Sequence, residues 1–93
     1  MKISNKKKEK ISEQILFLLY SSAPQLLFTS QIAEEIARDE EFIKKLLLDM
    51  KTKKLVIEIK KNPKGVSYLQ RSRWSLTDKI YNFYKNQQIS ADY

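Results

Sequence analysis

The chain has 93 residues, one domain near the lower end of what a single apolar core sustains, with a net charge of +7 and neither cysteine nor histidine. Those absences exclude disulfides, thiolate chemistry, the usual zinc ligands and any catalytic dyad or triad built on His or Cys. The longest apolar run, Ile15 to Tyr20, is far below the ~20 residues that span a bilayer, and no Ala-x-Ala-like cleavage site follows it, so a cytoplasmic protein with no membrane part is expected.

The charge is unevenly placed. Residues 1–20 carry +3, residues 21–50 carry −3, and residues 51–75 carry eight Lys or Arg against Glu58 alone. Such a field favours polyanions, nucleic acid first and acidic membrane surfaces second; the plain alternative is a generally lysine-rich surface.

In chain order, residues 1–10 form a basic N-terminal arm, into which a first helix extends from about Lys6 or Lys8. That helix runs to Ser21 or Ser22, with Ile11, Ile15, Leu18 and Leu19 as its buried stripe. Leu16, Phe17 and Tyr20 widen the stripe to nearly all round, so the helix must be covered on several sides. Pro24 ends it, because proline disfavours a helical residue before it and lacks a donor of its own. Leu26-Leu27-Phe28, too short for a helix, reads as a minimal strand able to pair with a later hairpin.

Residues 29–54 organise the rest. Ile32, Ala33 and Ile36 repeat at helical spacing, then Ile43, Leu46, Leu47 and Met50 do so again. Thr29 or Ser30 can cap the first of these helices and Asp39 the second. Only two or three residues, 37–39, separate them, so they cross steeply as a helix-turn-helix. Next, Leu55, Ile57 and Ile59 alternate with Val56, Glu58 and Lys60, the pattern of a strand with one buried face. Residues 62–65 make a turn in which Gly65, the only glycine, supplies a positive φ. A return strand lies within Val66 to Leu76, with Val66, Tyr68 and Trp74 as its packing residues, completing a hairpin over residues 55–76. Ser75 or Thr77 caps a last helix over residues 77–88, and residues 89–93 form a loose tail.

Helix, short strand, helix-turn-helix, hairpin and helix make a mostly α, α+β winged helix-turn-helix: a three-helix core, a β-hairpin wing and a C-terminal helix. The run IAEEIARDEEFIKKLLLDMKTKKLVIEI, a basic turn and then WSLTDKIYNFY resemble the winged helix-turn-helix regulators of the MarR and ArsR type, in particular the small ones of archaea and their viruses. The resemblance covers residues 11–88. It implies a DNA-binding transcriptional regulator, nucleoid-associated in its cell or acting in a host cytoplasm if viral. The second motif helix would enter the major groove of double-stranded DNA, and the wing would touch the backbone or minor groove.

On the exposed face of that helix stand Glu41, Lys45, Leu48 and Thr52, flanked by Lys44; Lys44 and Lys45 are candidates for phosphate or guanine contacts. Ser30 and Gln31 match the place where the family holds a phosphate at a helix N-terminus. Lys53, Lys54, Lys60, Lys61 and Lys64 would grip the backbone, and Arg71 or Arg73 would reach a narrow minor groove from the hairpin tip. One departure is the acidic start, Asp39-Glu40-Glu41. It suits the helix dipole, with Glu40–Lys44 and Glu41–Lys45 as i,i+4 pairs, or else it marks a helix that faces protein.

The last helix offers Ile80, Tyr81, Phe83 and Tyr84, which with Phe17 and Tyr20 would form the homodimer interface that this kind of regulator uses; the alternative is that it packs back on the first helix. A dimer crevice lined by Phe17, Tyr20, Phe83 and Tyr84 has the character to take a small aromatic effector, although no residue identifies one. No residue pair has a spacing that catalysis needs, so neither an enzyme nor a cofactor is expected. A winged-helix protein-interaction module in a replication, transcription or membrane-remodelling assembly is the alternative function.

Overall fold

A computed structural model describes residues 5–61, 64–66 and 71–91. The order is α1 (Asn5–Ser22), β1 (Leu27–Phe28), α2 (Thr29–Ile36), α3 (Glu40–Thr52), β2 (Val56–Ile59), β3 (Arg73–Leu76) and α4 (Asp78–Ala91). The three strands form one antiparallel sheet in the order β1-β3-β2, so the minimal strand before the motif does pair with the hairpin. This is the winged helix read from the sequence. Tyr68 lies outside the described residues.

The core forms where four apolar stripes meet. Ile11, Ile15, Leu16 and Leu19 come from α1, Ile32 and Ala33 from α2, Ile43, Leu46, Leu47 and Met50 from α3, and Leu27, Val56, Trp74 and Leu76 from the sheet. Leu18 and Tyr20 only partly join it, and Phe17 is exposed. Each fully buried side chain of this kind contributes roughly 1.5–3 kcal/mol relative to exposure.

Two helix ends are closed by left-handed residues other than glycine. Ala37 has φ 62°, and the next N–H, that of Arg38, reaches the Ala33 carbonyl at 3.1 Å. Lys54 has φ 63°, and the Leu55 N–H reaches the Met50 carbonyl at 2.9 Å. Both turns satisfy carbonyls that a helix end leaves over, and both put a side chain where glycine is favoured. Gly65 has the positive φ expected, 84°.

Capping departs from expectation at α2. Asp39 caps α3 as read, its Oδ2 accepting from the Phe42 N–H at 3.2 Å. Neither Thr29 nor Ser30 caps α2. The N-cap residue is Phe28, whose ring has nothing to accept with; Gln31 Oε1 instead accepts from the Phe28 N–H at 2.8 Å. Thr29 is buried, and its Oγ1 accepts from the Trp74 indole Nε1–H at 2.8 Å, tying α2 to β3. Before α4, the Thr77 hydroxyl donates to the Lys54 carbonyl at 3.1 Å, and Ser75 Oγ donates to the Leu76 carbonyl. The last helix also runs to Ala91, three residues past the expected end.

The faces of the hairpin differ from the alternation in β2. Val56 pairs with Leu76 and Glu58 with Trp74, which places Val56 and Glu58 on the core-facing row. Ile57, opposite Ser75, is 46% exposed. The reason is long-range: Trp74 and Leu76 select which row of β2 turns inward, because cross-strand partners share a face. Val66 is exposed, not a packing residue.

Candidate nucleic-acid interface

Helix α3 buries Ile43, Leu46, Leu47 and Met50 and leaves Glu41, Lys44, Lys45, Leu48 and Thr52 exposed on the opposite side. The division read from spacing is therefore the one observed. One flank of that exposed face borders an open groove of about 1100 Å³ against α1, with Leu16, Leu46 and Met50 in its floor. The other flank runs into the wing.

That second junction is built around a carboxylate. The Glu58 side chain, 6% exposed, takes two hydrogen bonds: Lys51 Nζ donates to Oε1 at 2.9 Å and Ser72 Oγ donates to Oε2 at 2.6 Å. Burial alone would raise its pKa. The Ser72 and Lys51 hydrogen bonds, with the charges of Lys51 and Lys60, outweigh that and hold the carboxyl below its ordinary 4.5. Lys51 at the end of α3 is thereby tied, through Glu58, to both limbs of the wing. Sequence reasoning placed Lys51 in the basic cluster but gave Glu58 no role. The signal was available, since Glu58 is the single acid among eight basic residues.

The basic candidates fall into three places. Lys44 and Lys45 stand on the exposed face of α3. Lys53, Lys54, Lys60, Lys61 and Lys64 are exposed along the turn after α3 and the outgoing limb, with Lys53 Nζ at 3.1 Å from Asp49. Arg73 opens β3 and Arg71 stands two residues before it, where the return limb joins the sheet. Arg73 sits between Phe28 and Ile59 in the sheet, and both guanidiniums lie over the Phe28 ring, at 5.2 Å (Arg71) and 4.5 Å (Arg73). Cation–π stacking holds them beside the N-terminus of α2, where Ser30 and Gln31 are exposed. Ser30, Gln31, Arg71 and Arg73 thus gather around Phe28 at the start of α2, and Arg73, in the central strand, pairs with Ile59 next to Lys60. Lys51–Glu58 and Lys53–Asp49 are closed ion pairs, whereas the expected Glu40–Lys44 and Glu41–Lys45 pairs are not closed.

The aromatic residues of α4 fold back within the monomer. The Tyr20 ring lies 5.3 Å from Tyr81 and 5.6 Å from Tyr84, and Phe83 meets Tyr84 edge-on at 5.8 Å. Ile80 and Tyr84 pack against the core. Burial chiefly, and the Glu13 charge second, push the Tyr84 phenol above its usual 10.0. Phe17 and Phe83 stay outside, 58% and 54% exposed.

No protein-family model and no curated sequence matches the chain. Solved structures do. A point mutant of MepR from S. aureus matches at 20% identity and a TM-score of 0.63, over 97% of this chain and 61% of that one. ZitR of Lactococcus lactis, a zinc-responsive MarR family member, matches at 19% identity and 0.65, over 96% of this chain and 54% of its own. Another MepR mutant, bound to an oligodeoxyribonucleotide, matches at 18% identity and 0.59, over 92% of this chain and 70% of that one. The chain therefore spans little more than half the length of ZitR and about six tenths of the first MepR chain. It has no Cys or His, so a thiolate or imidazole zinc site of any kind is outside its chemistry. No described helix is long and apolar enough to cross a membrane. Helix order, sheet and these likenesses agree: the chain has the winged helix-turn-helix fold of the MarR-family regulators that it matches.

Proposed function

We propose that the chain is a sequence-specific, double-stranded DNA-binding transcriptional regulator that works by occupancy, not catalysis. Helix α3 enters the major groove, and the lysines of the wing lie on the phosphate backbone. The observation that carries the reading is the set of exposed lysines on α3 (Lys44, Lys45), on the turn after it (Lys53, Lys54) and on the outgoing limb (Lys60, Lys61, Lys64), on a fold of which one solved example holds an oligodeoxyribonucleotide. Ser30 and Gln31, with Arg71 and Arg73 stacked on Phe28 beside them, supply a second phosphate contact at the start of α2. The acidic start of α3 fits this reading, because Asp39 is used as a helix cap and so has a structural reason to be there.

A homodimer joined through Phe17 and Phe83 completes the reading. These rings are exposed on neighbouring helices, while Tyr20 and Tyr84 are occupied within the monomer. Two reading helices would then meet successive major grooves about one helical turn, roughly 34–36 Å, apart.

The test pairs sedimentation with duplex binding. The wild-type chain should sediment as a dimer and Phe17→Ser/Phe83→Ser as a monomer, with duplex affinity falling in step. Lys44→Ala/Lys45→Ala should leave the dimer intact and weaken DNA binding. A monomeric wild-type chain would remove the dimer. A chain that binds no duplex at low salt would leave the protein-interaction module as the reading.

A further inference from the structure

The reading face of α3 has an apolar centre. At 3.6 residues per turn, Leu48 lies roughly opposite the middle of the Ile43, Leu46, Leu47 and Met50 stripe, and it is 39% exposed. Lys44 stands one turn before it and Lys45 beside it, both exposed. One turn after it stands Thr52, whose Oγ1 donates to the Leu48 carbonyl at 3.1 Å. The Thr52 donor is thus committed to its own helix, which leaves this exposed residue its methyl group and an accepting oxygen. Leu48 and Thr52 together form a short apolar strip between lysines.

The Leu48 side chain carries no donor or acceptor and the Thr52 donor is already used, so in the major groove this strip best matches an apolar group. Thymine is the single base that presents an apolar group there, its 5-methyl; cytosine at the same place presents an amino donor that the Leu48 side chain would bury without a partner. The acidic start of the helix reinforces this placement. Glu40 and Glu41 are exposed in the first turn and repel phosphates, which moves the close approach toward the middle of the helix, where Leu48 stands. We propose that Leu48, supported by the Thr52 methyl, reads the 5-methyl of thymine, while Lys44 and Lys45 hold the flanking phosphates. This rests on the DNA-binding reading above and adds the base that α3 distinguishes.

The experiment selects bound duplexes from a randomised pool with the wild-type chain, then replaces each preferred thymine by deoxyuridine, which differs only by the missing methyl. Wild type should lose about fourfold in affinity at one thymine position per half-site, the worth of one buried carbon. Leu48→Ala should bind thymine and deoxyuridine duplexes equally at that position and keep the wild-type salt slope, because no phosphate contact is lost. Thr52→Ser, which removes only the methyl, should shrink the difference without abolishing it. Equal wild-type binding of both duplexes, a deoxyuridine penalty that survives in Leu48→Ala, or duplex binding with no preferred sequence would each overturn the proposal while DNA binding stands. Absence of any duplex binding at low salt is a different result; it removes the DNA-binding reading and the proposal with it.

Discussion

Replacing Glu58 by Gln tests whether α3 and the wing are held together electrostatically. The substitution keeps shape and volume, retains an acceptor for Ser72, and removes the charge that faces Lys51. Hydrogen bonds to a charged group contribute about 1.5–3 kcal/mol, but Lys51 is 49% exposed, so solvent screens its share. About 1–2 kcal/mol at neutral pH is the resulting expectation, a shift of the urea midpoint by roughly 1 M for a domain of this size. The pH dependence has a fixed sign. The folded carboxyl titrates below its ordinary 4.5, so its stabilisation is fully present above that value and fades as pH falls through the folded one. Urea unfolding of wild type and Glu58→Gln should therefore differ at neutral pH and converge as pH falls below the folded pKa of Glu58, where both side chains are neutral. A penalty as large in acid as at neutral pH would refute the electrostatic account and leave only packing. No penalty at neutral pH would refute the junction itself.

Three further expectations concern single side chains and are read by thermal or urea unfolding. Thr29→Val keeps the shape but leaves the buried Trp74 indole N–H without its acceptor, and should cost about 1–3 kcal/mol. Ala37→Gly relieves a left-handed alanine at φ 62° and should stabilise by about 0.5–1 kcal/mol, a rise of several degrees in Tm; a loss of stability would contradict the helix-end geometry. Asp39→Ala removes the α3 cap and should cost about 1 kcal/mol with some loss of helical signal, whereas Asp39→Asn, which keeps the acceptor, should cost much less.

Where the elements lie was legible because their signals are local. The Ile43, Leu46, Leu47 and Met50 spacing placed both faces of α3, and Asp39 capped it as read. What was not legible depends on partners far along the chain. Thr29 looks like a cap by its neighbours, but Trp74, 45 residues away, takes its hydroxyl. The three apolar residues at 55, 57 and 59 look like the inner row of β2, but pairing with Trp74 and Leu76 turns Val56 and Glu58 inward instead. Glu58 can be buried there only because Lys51 and Ser72 meet it, a compensation that no spacing rule reports. Likewise Arg71 and Arg73 follow the wing tip in sequence and seemed able to reach from it; their stacking on Phe28 is a contact between β3 and the residue before α2. The basic cluster was therefore found as a composition, and the stacking of its two arginines on Phe28 belongs to the fold.

The measurement closest to the central claim is duplex affinity across a salt series, by fluorescence anisotropy on mixed-sequence DNA, for wild type and for Lys60→Ala/Lys61→Ala/Lys64→Ala. About six phosphate contacts imply a loss of roughly 10³-fold between 50 and 200 mM salt, and removing three of them should lower the log–log slope by about 2.7. A steep wild-type slope that flattens by that amount is the predicted result. A wild-type slope near zero, or a slope that the three substitutions leave unchanged, would contradict the claim that the wing grips the DNA backbone.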